Sequence, residues 1–93
     1  KAAKGMKGTF HLTVMGLEGI LFEGQVESLY LSGFDGEFEL LPFHYPLIAA
    51  IPEGDVHIAY HDSIPVKSAI VLFKDNQCKM LAETDQVPVL KPW

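Results

Sequence analysis

The sequence contains four histidines among its 93 residues, and histidine is the commonest metal ligand in proteins. His57 and His61 have the four-residue spacing that places two zinc ligands on one face of a helix. Their neighbours Val56, Ile58 and Tyr60 alternate with them as in a strand, however. On a strand that rises roughly 3.3 Å per residue, positions four apart are separated by about 13 Å. The two rings cannot share one ion in that geometry, so the sequence predicts no metal site.

Three carboxylates at Asp35, Glu37 and Glu39 could in principle serve acid–base chemistry or calcium binding. Alternation sends the two glutamates to one strand face and leaves Asp35 in the preceding turn. No nucleophile, second acid pair or loop of calcium-ligand spacing accompanies them, and the chain shows no glycine-rich phosphate loop, CxxC pair or Ser-His-Asp constellation. We therefore predict no catalytic residues and no cofactor. The carboxylates are interpreted as either a solvated edge or an electrostatic docking face.

Composition narrows the possible partners. The net charge of −5 argues against nonspecific nucleic-acid binding, which relies on lysine and arginine neutralising phosphates. Cys78 is the single cysteine, so no internal disulfide can form, and its spacing from Met80 predicts a small buried core group. No apolar run approaches the roughly 20 residues that a membrane-spanning helix needs.

Residues 33–47, GFDGEFELLPFHYPL, form the stretch that would display functional side chains. Gly33 and Gly36 predict a tight turn, and the alternation that follows predicts a short half-buried strand. Two prolines then predict a rigid corner in place of a helix. The stretch should display five side chains at the edge of the fold: Phe34, Asp35, Phe43, His44 and Tyr45. His44 is either a turn residue that bonds local backbone or an interface residue.

The rest of the chain alternates in the same way, and 93 residues are enough for one domain. We predict strands at residues 10–15, 20–22, 25–32, 47–51, 56–60, 64–73 and 78–82, with a hairpin loop at Asp75 and Asn76. This pattern predicts an all-β, antiparallel β-sandwich of about eight to ten short strands. Residues 1–8 are expected to be a disordered lead or a cloning remnant, residues 9–84 the sandwich, and residues 85–93 a short tail.

Several motifs in register resemble the N-terminal β-sandwich domain of the epsilon subunit of F-type ATP synthases. Residues 33–47 resemble that family's pattern G-x-x-G-x-[LF]-x-[IL]-x-P-x-H-x-P-L. Upstream, Glu18 and the residues from Phe22 to Glu27 resemble E-x-x-x-F-x-G-x-V-E, and downstream the runs IPEG at 51–54 and LAET at 81–84 resemble its I-x-P-G turn and L-A-[DE]-T ending. The chain departs from the family at Phe43 and Glu39, where glycine is usual, and at Tyr45, where a small residue is usual.

The resemblance implies a noncatalytic subunit of the central stalk, which binds the gamma subunit and the c-ring and couples proton or sodium flow to ATP synthesis. It implies a c-ring-facing loop at Phe34, Asp35 and Glu37. We consider His44, Tyr45 and Leu47 candidates for the gamma interface. The implied location is peripheral, on the cytoplasmic face of a bacterial inner membrane. In the family a two-helix hairpin follows the sandwich and can hinder ATP hydrolysis; residues 85–93 leave no room for it, so we expect coupling without that brake.

Two functions of other classes remain open from the residues alone. One is a stand-alone β-sandwich module that binds a peptide or small ligand through Phe34, Phe43 and Tyr45. The other is a small metal-dependent enzyme built on the histidines, which the strand geometry disfavours.

Overall fold

A computed structural model describes residues 8–85, and these residues contain only strands, turns and loops. The strands are β1 (Phe10–Gly16), β2 (Gly19–Val26), β3 (Leu29–Gly33), β4 (Gly36–Leu40), β5 (Leu47–Ile51), β6 (Gly54–Ile58), β7 (Ile64–Val66), β8 (Ser68–Lys74) and β9 (Gln77–Glu83). The predicted all-β class is confirmed. The expectations for residues 1–7 and 86–93, including the absence of a helical hairpin, lie outside the described residues.

The strands form two sheets that enclose one core. One sheet has the order β2-β1-β9-β8-β5 and the other β4-β3-β6-β7. Every pair is antiparallel except β1 with β9, which runs parallel and places Leu12 beside Cys78. Sequence alternation predicts strands and their faces but carries no information about this pairing, because it joins the first strand to the last.

The core consists of the inward-facing side chains of both sheets, as the period of two requires. Its largest fully buried members include Phe10 and Phe73, whose rings meet edge to face with centroids 5.1 Å apart. Cys78 and Met80 are buried beside them, which confirms the predicted facing of β9. No polar side chain of the described residues is buried. Apolar packing therefore holds the two sheets together.

Three predicted strand boundaries are wrong. The strand predicted at 56–60 ends at Ile58, and Tyr60 lies in the following turn with φ of 65°. The predicted break at Glu23 and Gly24 is absent, because Gly24 pairs with Leu12 inside the β1–β2 ladder. The chain instead leaves that sheet after Val26 and enters the other sheet at Leu29. Likewise, residues 64–73 form two strands in different sheets. The boundary lies at Lys67, whose amide donates to the Glu83 carbonyl at 2.7 Å.

The connections collect at two opposite ends of the sandwich. Because β3 and β6 are antiparallel, the β3–β4 turn at residues 34–35 lies at one end and the β6–β7 connection at residues 59–63 at the other. We call the first the turn end; it also holds the β1–β2 turn, since Leu17 and Phe34 line one groove. We call the second the corner end; it holds residues 41–46 and the β8–β9 hairpin, which bond to each other.

Candidate functional site

The β3–β4 turn has the tight geometry predicted from its glycines. Gly33 and Gly36 face each other in the ladder, and a β-carbon on Gly33 would lie 3.1 Å from the Gly36 carbonyl oxygen. Gly36 itself has φ of 125°, which side chains rarely adopt. The turn leaves Phe34 74% exposed and Asp35 exposed. An apolar and an anionic side chain therefore project together from the turn end.

Glu37 lies on the outer face of the four-stranded sheet, where it is engaged by a neighbouring strand. The Tyr30 hydroxyl donates to a Glu37 carboxylate oxygen at 2.5 Å. This bond and the charge of Glu37 raise the pKa of the Tyr30 phenol above its ordinary value. The predicted ring-facing set is thus divided: Phe34 and Asp35 sit at the tip, and Glu37 is held on the side face.

The corner between β4 and β5 is fixed by a side chain from another hairpin. Phe43 has φ of 64°, a conformation that favours glycine. Its amide donates to the Asn76 side-chain oxygen at 2.7 Å, and the Asn76 side-chain nitrogen donates to the Thr9 carbonyl at 3.0 Å. Asn76 therefore ties the corner to the β8–β9 hairpin and to the start of β1. The Phe43 ring remains 74% exposed.

The three gamma-interface candidates have different surroundings. The His44 ring donates from Nδ1 to the Tyr45 carbonyl at 2.8 Å and packs against Phe73 with ring centroids 5.7 Å apart. His44 is thus a half-buried turn residue that bonds local backbone. Leu47 packs against the core, whereas Tyr45 is 71% exposed. Tyr45 is the member of this set that offers its side chain to a partner.

An open apolar groove of about 680 Å³ lies at the turn end, on the outer face of the five-stranded sheet. Its apolar walls include Met15, Leu17, Phe34, Ile70 and Leu81. This groove was not predicted from the sequence. The available signal was the presence of exposed leucine and isoleucine at outward positions of β8 and β9, where alternation normally places polar residues.

The histidines and the cysteine are placed apart. His11 donates from Nε2 to Glu23 at 3.0 Å, His57 lies 2.6 Å from the Ser63 hydroxyl, and His61 packs on Phe22. Residues 8–85 contain no group of three or more potential metal ligands and no helix able to span a membrane.

Burial raises the pKa of the Cys78 thiol to about 12, so the thiol stays protonated and unreactive.

Comparison with known families decides what kind of sandwich this is. A family model described as the β-sandwich domain of the ATP synthase delta/epsilon chain matches residues 9–86. The chain belongs to this family. The predicted resemblance to the epsilon-type N-terminal β-sandwich domain is thereby confirmed.

Curated epsilon chains show the same relationship. The ATP synthase epsilon chain of Desulfitobacterium hafniense is 34% identical over 82 residues, which cover 85% of this chain and 62% of the relative. The epsilon chain of Halalkalibacterium halodurans is 30% identical over 83 residues, covering 86% and 62%. The chain thus spans about 62% of the length of these relatives.

Solved structures share the fold of this delta/epsilon-type sandwich at low sequence identity. A chain in the central stalk and c-ring structure of the Tetrahymena thermophila mitochondrial ATP synthase aligns with a TM-score of 0.69 and 10% identity, over 84% of this chain and 65% of that one. A chain in the Euglena gracilis mitochondrial ATP synthase structure, which contains OSCP, F1 and the c-ring, gives 0.75 and 14%, over 81% and 51%. These likenesses support the sandwich architecture.

Proposed function

We propose that this chain is the sandwich domain of a noncatalytic rotor subunit of an F-type ATP synthase. In this role it binds the gamma subunit and the c-ring and couples proton or sodium flow to ATP synthesis. It lies peripherally on the cytoplasmic face of a bacterial inner membrane, held there through the complex. Membership in the delta/epsilon family, over residues 9–86, is the observation that carries the proposal.

The geometry of the sandwich supports a part that connects two partners. A coupling element needs a stiff body with two separate contact surfaces, so that torque applied at one reaches the other. The turn end and the corner end lie at opposite ends of the strands. The two sheets between them share a continuous apolar core, which resists deformation because interiors are close-packed.

We assign the corner end to gamma. Tyr45 and Phe43 are both exposed there, and aromatic side chains are enriched in interface cores. Pro42, Pro46 and the Asn76 hydrogen bonds fix the corner before binding, so little conformational entropy is lost when a partner docks. His44 and Leu47 support the corner from within rather than contacting gamma through exposed side chains.

We assign the turn end to the c-ring. Phe34 and Asp35 project from it, and Glu37 adds negative charge on the adjacent side face. The attraction between these carboxylates and a basic loop is weakened by salt, since exposed charges are screened beyond a Debye length of about 10 Å at 0.1 M.

Co-purification tests the proposal. The tagged chain is incubated with purified gamma, with c-ring particles, and with both; we expect it to retain each one and to form a ternary complex. An Asp35→Lys variant should retain gamma and bind the c-ring more weakly than the parent chain. The matched control is Asp62→Lys, the same charge change at the corner end, which should retain the ring. Failure of the parent chain to retain gamma and ring would reject the proposed function.

The apolar groove favours a second function, a stand-alone module that binds a peptide or small ligand. A chain with that function would retain neither gamma nor the ring in the same experiment. It would instead bind an apolar fluorescent probe, and a Leu81→Glu substitution in the groove would abolish binding of that probe.

A further inference from the structure

The turn end carries the same four-residue pattern twice. The β1–β2 turn reads Gly16-Leu17-Glu18-Gly19 and the β3–β4 turn reads Gly33-Phe34-Asp35-Gly36, so each is glycine, a large apolar residue, an acid and glycine. We call residues 17–18 and 34–35 the twin turns. The c-ring-facing loop expected from the sequence comprised only Phe34, Asp35 and Glu37, so the β1–β2 turn was not part of that expectation.

The structure gives the twin turns matching geometry. In each, the two glycines are paired across the ladder. The second glycine in each has positive φ, 145° at Gly19 and 125° at Gly36. Each turn therefore closes its hairpin with two exposed residues at the tip, one apolar and one acidic.

The twin turns belong to one surface. Leu17, which is 95% exposed, and Phe34 both line the apolar groove, so the groove lies between the two tips. Within residues 8–85, Lys67 makes an ion pair with Asp85 and His11 makes a hydrogen bond with Glu23, whereas neither Glu18 nor Asp35 is paired. The surface thus offers two unpaired carboxylates and two exposed apolar side chains around an apolar floor.

We propose that the twin turns bind two copies of the same short loop on neighbouring subunits of the rotor ring. Each loop would supply a cation for Glu18 or Asp35 and an apolar side chain beside Leu17 or Phe34. Two tips of like chemistry fit a partner that presents one loop repeatedly, which a ring of identical subunits does. The inference rests on the proposed function, and it adds Leu17 and Glu18 to the ring contact.

Charge reversal separates a two-turn contact from a one-turn contact. Binding of the variant chains to c-ring particles is measured at low salt, with Asp62→Lys as the matched control at the corner end. We expect Glu18→Lys and Asp35→Lys each to weaken binding about tenfold and the double variant about a hundredfold, because effects at independent sites add. Folding should be unchanged, since both tips are exposed.

Cross-linking tests the stoichiometry directly. Cysteines replace Leu17 and Phe34, and a cysteine is placed in the ring loop; buried Cys78 does not compete, because its thiol stays protonated. We expect each single variant to link one ring subunit and the Leu17→Cys/Phe34→Cys variant to link two. The Ile48→Cys variant, exposed on β5, should link none.

Several outcomes would overturn the inference. Control-like binding by Glu18→Lys alongside weakened binding by Asp35→Lys would leave only the β3–β4 turn in contact. A product containing one ring subunit from the double cysteine variant would replace two loops by one. Binding of the parent to zwitterionic lipid vesicles without the c-ring, lost in a Leu17→Glu variant, would assign the surface to the membrane. Failure of the parent chain to bind the c-ring would instead reject the assignment of the turn end to the c-ring.

Discussion

At the scale of single residues, Phe43 is a departure from the family pattern at a position with positive φ. The resemblance places glycine at this position, and the structure gives it φ of 64°, which explains the preference for glycine. A bulky residue in this region costs roughly 1–2 kcal/mol per residue. The chain retains an exposed aromatic there despite that cost, which fits the assignment of the corner end to a partner.

Replacing Phe43 separates the backbone from the side chain. We expect Phe43→Gly to be more stable than Phe43→Ala by about 1 kcal/mol, because only glycine adopts this φ without strain. Urea unfolding of both variants measures the difference. The same pair of substitutions at Tyr45, whose φ is not positive, should give the opposite order. Equal stability of the two Phe43 variants would show that the corner backbone relaxes when the phenyl ring is removed.

The Tyr30–Glu37 bond predicts a pH dependence. The folded-state pKa of Tyr30 lies above its unfolded value of 10.0, mainly through the hydrogen bond from its hydroxyl to Glu37. Its contribution to stability is therefore fully present below pH 10 and is lost as the pH rises through the folded pKa. In an ultraviolet titration of tyrosine ionisation, Glu37→Ala should lower the pKa of Tyr30. An unchanged titration curve would show that the bond does not form in solution.

At the scale of elements, the corner depends on a hairpin far away in the chain. Asn76 has positive φ and bonds both Phe43 and the carbonyl of Thr9. We expect Asn76→Gly, which keeps the φ but removes the side chain, to lose about 1–2 kcal/mol, since two hydrogen bonds each contribute about 1 kcal/mol. Asp75→Gly in the same turn is the matched control and should be nearly neutral. Thermal unfolding distinguishes them, and equal loss in both would mean that the clamp is dispensable.

Local patterns predicted most of the elements because alternation, glycine and proline act over a few residues. They gave the turn at Gly33 and Gly36, the hairpin at Asp75 and Asn76, and the buried face of β9. They missed the Lys67 boundary, where the chain changes sheet without a glycine or proline between the strands. They also missed the groove, whose walls come from strands distant in sequence, and the engagement of Glu37 by Tyr30. Contacts of that kind depend on sheet order, which the β1–β9 pair shows to be non-local.

At the scale of the whole molecule, the sandwich has the build of a rigid connector. Its core is wholly apolar within residues 8–85, and its two ends are built by different connections of the same strands. Substitutions at one end should therefore leave the other end folded and able to bind. This independence allows the proposed gamma and c-ring contacts to be tested one at a time.

Restoration of ion-driven ATP synthesis is the strongest test of the proposed role as a rotor subunit. ATP synthase complexes that lack their delta/epsilon-type subunit are placed in proteoliposomes, the chain is added, and ATP synthesis driven by an ion gradient is measured. We predict that the parent chain restores synthesis, and that the Glu18→Lys/Asp35→Lys variant, which still binds gamma, does not. If the parent chain binds gamma and the c-ring but ATP synthesis stays at the level measured without added chain, the proposed coupling role is wrong.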